Sequence, residues 1–513
     1  MKQIFRKIVV VILVPLLAGC TGNFEEYNTD HYKIYKADPS TLLKAMIETM
    51  INIQQNDSQY MDQMVGTLGG YFTITNRWGG TNFDTFNQSD SWNAIPWEKA
   101  FTRIYGNFFQ VQEATNATGH FYAMARLVRA VTMLRIIDCY GPMPYSKVKK
   151  GDFYVAYDSQ EEVYKYIMED CEYAANVLYT YSIDTSGNRP LGGNDPVYNG
   201  DYSKWAKLAN SVRLRVAVRI GKVFSKMASQ HAQAAITSKA GLIEANEDNA
   251  MLSCGSQTNP YYLAANTWGE LRANASIVDY MSGYNDPRLG KYFTKSTFSG
   301  YTDKYIGMRS GTAGFSKDDV KGYSKPAYEV DSKLMIFCAA ETAFLRAEGV
   351  LNGWSMGGKA KDFYNQGITL SMAQYGVSGD TYINNTELIP GEHSGDPRGS
   401  IYNYTPKTKI TIAWDESATD EQKLERIITQ KWIANYPLGL EAWAEYRRTG
   451  YPELFPCIDN LSSVVTDKVR GMRRLRYPYT EAQNNSQNYQ NGVALLGGGP
   501  DDETTDLVFG KKN

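Results

Sequence analysis

The chain has 513 residues, with 53 lysines and arginines set against 55 aspartates and glutamates, for a formal net charge of −2. This balance argues against a nucleic-acid partner, because phosphate backbones are held by clustered Lys/Arg. The length allows either several domains of about 100–200 residues or one large helical domain.

The N-terminus carries Lys2, Arg6 and Lys7, an apolar run from Ile8 to Leu17, and then Ala18-Gly19-Cys20. This order of charged, apolar and small residues reads as an export signal. The run is too short for a membrane-spanning helix, which takes roughly 20 apolar residues. Leu17-Ala18-Gly19-Cys20 resembles a bacterial lipobox, which predicts a signal peptide over 1–19 and lipidation of Cys20 as the new N-terminus. Acyl chains contribute about 0.8 kcal/mol per buried CH₂, so the mature chain is expected to sit at a membrane. Removing the signal deletes three positive charges and shifts the formal charge from −2 to −5. The other cysteines (Cys139, Cys171, Cys254, Cys338 and Cys457) are widely spaced and form no CxxC, so they read as small buried hydrophobes. The 38 tyrosines and 9 tryptophans suit half-wet contact surfaces, being apolar with a polar tip.

Residues 20–37 show no apolar period and read as a tether containing Glu25-Glu26. Asp38-Pro39 then gives an N-cap and a proline at the first helical position. Leu42, Leu43, Met46, Met50 and Ile53 follow at helical spacing. Between Gly66 and Trp92 the pattern breaks into a loop of glycine, asparagine and aromatic residues. Helical spacing returns over about 92–114 and 120–139, the latter ended by Tyr140-Gly141-Pro142, where glycine suits an αL cap. A capping-box-like start at Asp158-Ser159-Gln160-Glu161 opens 158–179, and 203–225 follows a Gly/Pro/Asn loop. From about Ala228 to Lys333 the chain reads as loop-rich, with turn signals at Asn259-Pro260, Asn285-Asp286-Pro287 and Ser324-Lys325-Pro326. Helices are predicted again over about 336–352, 359–375, 421–435 and 439–448, with a loop-rich tail beyond Gly450. The prediction is a mainly all-α domain over 38–513 built of four stacked, tetratricopeptide-like helical pairs, with a loop-rich, ligand-facing region at 228–335.

Five segments in order resemble the SusD/RagB-type lipoproteins. They are Tyr122-Ala123-Met124-Ala125-Arg126 through Tyr140-Gly141-Pro142-Met143-Pro144-Tyr145, and Asn285-Asp286-Pro287-Arg288-Leu289. Then come Ala340-Glu341 with Leu345-Arg346-Ala347-Glu348, Gln430-Lys431-Trp432 through Arg447-Arg448-Thr449-Gly450-Tyr451-Pro452, and Tyr477-Pro478 to Glu481 and Asn484. The resemblance implies an outer-membrane lipoprotein of a Bacteroidetes-type bacterium, facing the cell surface. Such a protein partners a SusC-like TonB-dependent transporter, binds oligosaccharides or in some members peptides, and is not an enzyme.

The chemistry legible in the residues themselves is sparse. Gly353-Trp354-Ser355-Met356-Gly357 matches G-x-S-x-G, with Asp380 and His393 following, as a lipid-anchored hydrolase would need. The preceding segment is helical, however, and a nucleophile elbow follows a strand. The four histidines are isolated, so no metal site or cofactor is expected. Asp501-Asp502-Glu503 with Asp506 reads as a solvated acidic tail before a Ca²⁺ site. Glu341, Arg346 and Glu348 read as a structural ion-pair set. Sugars offer C–H faces for stacking and hydroxyls for hydrogen bonding, so a glycan site needs Trp/Tyr beside Asn, Asp, Gln or Arg. Two loops have that mixture: Tyr71, Asn76, Arg77, Trp78, Asn82 and Asp84, and Asn259-Pro260-Tyr261-Tyr262 with Asn266 and Trp268. Packing of these aromatics onto the scaffold is the competing reading.

Overall fold

The computed structural model describes residues 38–184 and 189–510; the export signal, Cys20 and the tether over 20–37 lie outside these described residues. The helices of the scaffold are α1 (Pro39–Ile47), α2 (Asp90–Ala114), α3 (Gly119–Tyr140), α4 (Gln160–Asp184), α5 (Tyr202–Ile220) and α6 (Ser225–Thr237). In the second half they are α7 (Ala339–Leu351), α8 (Ala360–Gln374), α9 (Asp420–Ala434) and α10 (Gly439–Thr449). Consecutive helices from α2 to α6 stack on one another, and α7 stacks on α8. α9 packs against α7 and α8, whereas α10 packs on α3 and on the 3₁₀ turn Val65–Gly69. Among the described residues no helix is long and apolar enough to cross a membrane.

Local chemistry sets the boundaries. The Ser89 side chain caps α2 by accepting from the Trp92 amide, and Thr419 and Gln422 form a reciprocal capping box on α9. The capping pair of α4 is Ser159 with Glu162, one residue later than the sequence pattern predicts. Asp158 instead accepts from the Tyr145 and Ser146 amides at 2.9 and 2.8 Å and pins the turn after α3. Gly141 ends α3 at φ +90°, ψ −137°, a conformation open to glycine and distinct from the αL cap expected. A Cβ there would come within 2.8 Å of the Leu507 side chain.

Three segments expected to be loop are ordered. α6 lies in the stretch read as loop because it buries only Ala228, Ala232 and Ala235, whose small side chains give a weak apolar period. Helical turns at Tyr479–Asn484 and Ser486–Ala494 order the tail. The broken region after Gly66 contains strand β1 (Phe72–Ile74). The remaining strands are β2 (Ala250–Leu252), β3 (Leu271–Ala273) and β4 (Leu334–Phe337); β1 pairs with β3 and β2 with β4, both antiparallel.

Many tyrosines are core struts, not surface contacts. The buried Tyr284 and Tyr292 hydroxyls donate to the Ile410 and Ile433 carbonyls at 3.0 and 2.9 Å, so each ring fills space while its polar tip stays satisfied. The five described cysteines are free and buried, as their spacing suggested. The acidic tail is neither solvated nor metal-like. Asp501 pairs with Arg474, Glu503 with Arg476, and Asp506 with Arg470 and Arg473; among the described residues no His/Cys/Asp/Glu group could hold a metal ion.

A buried ion network holds the helices together. Arg219 of α5 donates to Asp138 of α3 and to Glu441 and Glu445 of α10, the last at 2.9 Å. Arg215 binds both oxygens of Glu341 on α7 at 2.6 Å, and Arg448 bridges Glu348 on α7 and Glu445. Lys431 of α9 lies 3.2 Å from Glu445. Burial would raise the Glu445 carboxyl, but Arg448, Lys431 and Arg219 hold it well below the usual carboxylate range. Glu341 and Glu348 thus belong to an ion-pair set, while Arg346 pairs outward with Glu244 and lies 4.0 Å over the Phe363 ring. Removing one member of a buried set strands its partners, at a cost of about 3–5 kcal/mol. Arg219→Met is therefore expected to lower stability by about that amount in urea unfolding. Arg219→Lys should recover little of it, because an ammonium lacks the planar fork that reaches three carboxylates.

A second buried ion set fixes the loop before α9. His393 Nδ1 lies 2.7 Å from Asp279 and Nε2 2.9 Å from Asp396, whose other oxygen accepts from the Tyr323 hydroxyl at 2.7 Å. Burial alone would lower the imidazole pKa, but the two carboxylates outweigh it and raise it to about 9. The folded-state value lies above the ordinary 6.5, so the stabilisation is full below about pH 6.5 and is lost as pH rises through about 9. Wild-type unfolding free energy should fall by up to about 3 kcal/mol across that window, at roughly 1.4 kcal/mol per pKa unit. In His393→Gln the decline should be absent when urea midpoints are compared at pH 6 and pH 9.5.

Candidate ligand-binding site

The two aromatic loops singled out in the sequence meet. Phe72 lies opposite Ala273, Thr73 opposite Arg272 and Ile74 opposite Leu271. One step further, the Thr75 amide donates to the Glu270 carbonyl at 2.9 Å and its hydroxyl to the Gly269 carbonyl at 2.8 Å. The chain leaving β1 and the chain entering β3 therefore share a rim. On it opens a cleft of about 290 Å³ lined by Asn56, Gln59, Tyr60, Trp78, Trp92, Trp268 and Glu270. The cavities beside Met50 and beside Phe86 hold about 40 and 50 Å³, room for a few waters.

Each wall of the cleft is held differently. Trp78 sits in left-handed backbone (φ +38°), followed by Gly79 and Gly80 at φ +69° and +95°. A bulky residue in that region is strained, and such strain persists where surrounding bonds over-determine it. Here the Asn82 amide side chain donates to the Asn76 carbonyl at 3.2 Å, and the Thr85 hydroxyl donates to the Gly80 carbonyl at 3.0 Å. Asn82 and Asn87 also exchange backbone hydrogen bonds, while Arg77 donates to the Thr312 carbonyl. Arg77 lies 3.5 Å from Asp84, whose carboxyl is raised by burial with Arg77 opposing. Trp92 stands edge-on to Trp78 with ring centroids 5.1 Å apart, and Tyr60 lies 5.9 Å from Trp92. Trp92 is in the first turn of α2, and Pro96, having no N–H, leaves the Trp92 carbonyl without its intrahelical donor. Tyr60 and Gln59 ride on the π-helical turn Gln59–Met64, and Trp268 follows a second π-helical turn, Leu263–Thr267. Wide turns of this kind recur at functional sites.

The predicted residues divide into two groups. Trp78 and Trp268 line the cleft, and Asn76 supports it by donating to Glu270 at 3.0 Å. Tyr71 instead belongs to the core, stacked on Trp432 at 5.6 Å with its hydroxyl on the Trp432 carbonyl at 2.5 Å. Tyr261 is likewise buried, stacked on Tyr328 at 5.2 Å. Arg77, Asn82 and Asp84 are buried beneath the Trp78 turn. Tyr262 is half-buried and lies in the turn capped by Asn259, whose side chain accepts from the Tyr261 and Tyr262 amides. Tyr60, Gln59, Trp92 and Glu270 were not singled out. Trp92 marked only the end of the irregular stretch, and the π turn carrying Tyr60 has no 3.6-residue period to register.

The G-x-S-x-G segment follows helix α7, leaving Ser355 exposed on a loop. Both ring nitrogens of His393 are taken by Asp279 and Asp396, so this histidine is not placed as a base for Ser355.

A family profile described as SusD-like, the SusD and RagB outer-membrane lipoproteins, matches residues 23–510. The crystal structure of a SusD-like protein from Bacteroides thetaiotaomicron is 37% identical, with a TM-score of 0.89 over 93% of this chain and 99% of that one. A SusD homologue from Bacteroides uniformis is also 37% identical, with a TM-score of 0.86 over 92% and 99%. A chitin-binding SusD homologue from Flavobacterium johnsoniae is 34% identical, with a TM-score of 0.88 over 93% and 99%. A search of curated proteins finds no match. With the profile spanning nearly the whole sequence and the helical scaffold superposing end to end, the chain belongs to the SusD-like family of outer-membrane lipoproteins.

Proposed function

We propose that this chain binds oligosaccharides in the Trp78–Trp92–Trp268 cleft at the outer membrane, anchored through Cys20 and facing the cell surface. From there it delivers them to a SusC-like TonB-dependent transporter, with no cofactor and no chemical step of its own. The observation that carries the reading is the cleft itself. Three indoles and the Tyr60 ring surround an open space of about 290 Å³, with Asn56, Gln59 and Glu270 supplying hydrogen-bonding groups between them. Flat apolar faces interleaved with amide and carboxylate groups match the alternating C–H faces and hydroxyls of a sugar chain. A chitin-binding relative of the same fold adds weight to a glycan ligand.

The test is calorimetry with neutral oligosaccharides, N-acetylglucosamine oligomers first, against wild type and three single variants. Trp78→Ala, Trp92→Ala and Trp268→Ala should each weaken binding tenfold or more, about 1.4 kcal/mol, because truncating an interface tryptophan costs that much or more. All three side chains are half-exposed, so thermal unfolding should move little. Unchanged affinity in all three would remove the ligand from this cleft. Tight binding of extended peptides, lost in the same variants, would favour a peptide-binding member of the same assembly. Cys20→Ala should release the protein from membranes, and wild type should co-purify with a large barrel protein.

A further inference from the structure

Glu270 is the one charged side chain among the cleft's lining residues. Its Oε2 accepts from Gln59 Nε2 at 2.7 Å, and its Oε1 from Asn76 Nδ2 at 3.0 Å. It therefore ties the π turn carrying Tyr60 to the loop carrying Trp78. Both donors are neutral amides, and the cations of the flanking elements pair elsewhere: Arg77 with Asp84, and Lys99 and Arg103 of α2 with Asp57. Lys317 donates to the Trp268 carbonyl at 2.7 Å, is exposed, and is not part of the lining. An ionised carboxylate offers about four acceptor positions and no donor. Two of them are occupied here, so a ligand that meets Glu270 must present a hydroxyl, amide N–H or ammonium. Low-dielectric indole walls concentrate the field of a lone charge in a cleft.

We propose that Glu270 is a charge selector, which makes the cleft take neutral and amino-bearing sugars and reject acidic ones. This inference rests on the glycan reading above and adds the class of sugar. The clamp and the charge are separable functions of one side chain. In Glu270→Gln both clamp contacts can survive: the remaining oxygen accepts from Asn76 as before, and Gln59 alone turns its amide so that its oxygen accepts from the new N–H₂. What disappears is the charge.

The experiment titrates three oligosaccharides of equal length into wild type, Glu270→Gln and Asn56→Lys: an N-acetylglucosamine oligomer, its de-N-acetylated cationic form, and a galacturonic acid oligomer. Asn56 is exposed on the cleft wall, so its substitution adds a cation without touching the clamp. Wild type should bind the cationic oligomer at least as tightly as the neutral one, with an affinity that falls as salt is added, and should bind the acidic oligomer about tenfold more weakly than the neutral one. In Glu270→Gln, whatever the change in absolute affinity, the cation-to-neutral and acid-to-neutral affinity ratios should both move towards one, and the salt dependence of cationic binding should vanish. Asn56→Lys should shift the acid-to-neutral ratio in the same direction. A uniform change for all three ligands in Glu270→Gln, with Asn56→Lys silent, would leave Glu270 a clamp only and overturn the inference. Equal wild-type binding of neutral and acidic oligomers would overturn it too, while leaving the glycan reading intact. Failure of wild type to bind any of the three would remove the glycan reading, and this inference with it.

Discussion

Arg219 is buried where α3, α5 and α10 converge, and its three carboxylate partners come from two of the other helices. Around it, Arg215, Lys431 and Arg448 extend the same network to α7 and α9. Charges in a dry interior are tolerated only when each is met, at short range and in good geometry, by its opposite. An apolar contact between two helices survives a slide of one turn with modest loss, whereas a carboxylate displaced by 5.4 Å from its guanidinium is stranded. The network therefore acts on register more than on net stability: it leaves the stack one arrangement in which Arg215, Arg219 and Arg448 all meet their carboxylates. The short strands and the cleft hang from that arrangement.

The helical scaffold was legible because its signals are local. Apolar residues at 3.6-residue spacing, capping residues such as Ser89 and Thr419, and terminating glycines lie within a few residues of the boundaries they set. α6 escaped because three alanines make a faint stripe. The tyrosines were misread for a different reason. Their chemistry permits either a wet surface or a buried strut, and the choice depends on a carbonyl supplied from far along the chain, as Ile410 supplies one to Tyr284.

The candidate cleft was half legible on the same principle. Composition marked the loop around Trp78 and the loop before Trp268, since aromatic and amide side chains mixed with glycine are unusual away from contact surfaces. That the two loops share a rim follows from a three-residue strand pair, too short to leave a period in either stretch. The same composition could not separate residues that face the cleft from those that build it. Tyr71 and Trp78 are seven positions apart and chemically alike; one is sealed against Trp432 and the other forms a wall.

The pairing of β1 with β3 also bears on the order in which the cleft is assembled. Its two strands are separated by helices α2 to α6, and long-range pairings of this kind form late because a large loop must close first. A nascent chain that has emerged only as far as α6 holds Tyr60, Trp78 and Trp92 but lacks the opposite bank, so it has no cleft to occupy. The cleft is complete only once the middle of the polypeptide has paired back onto the N-terminal segment.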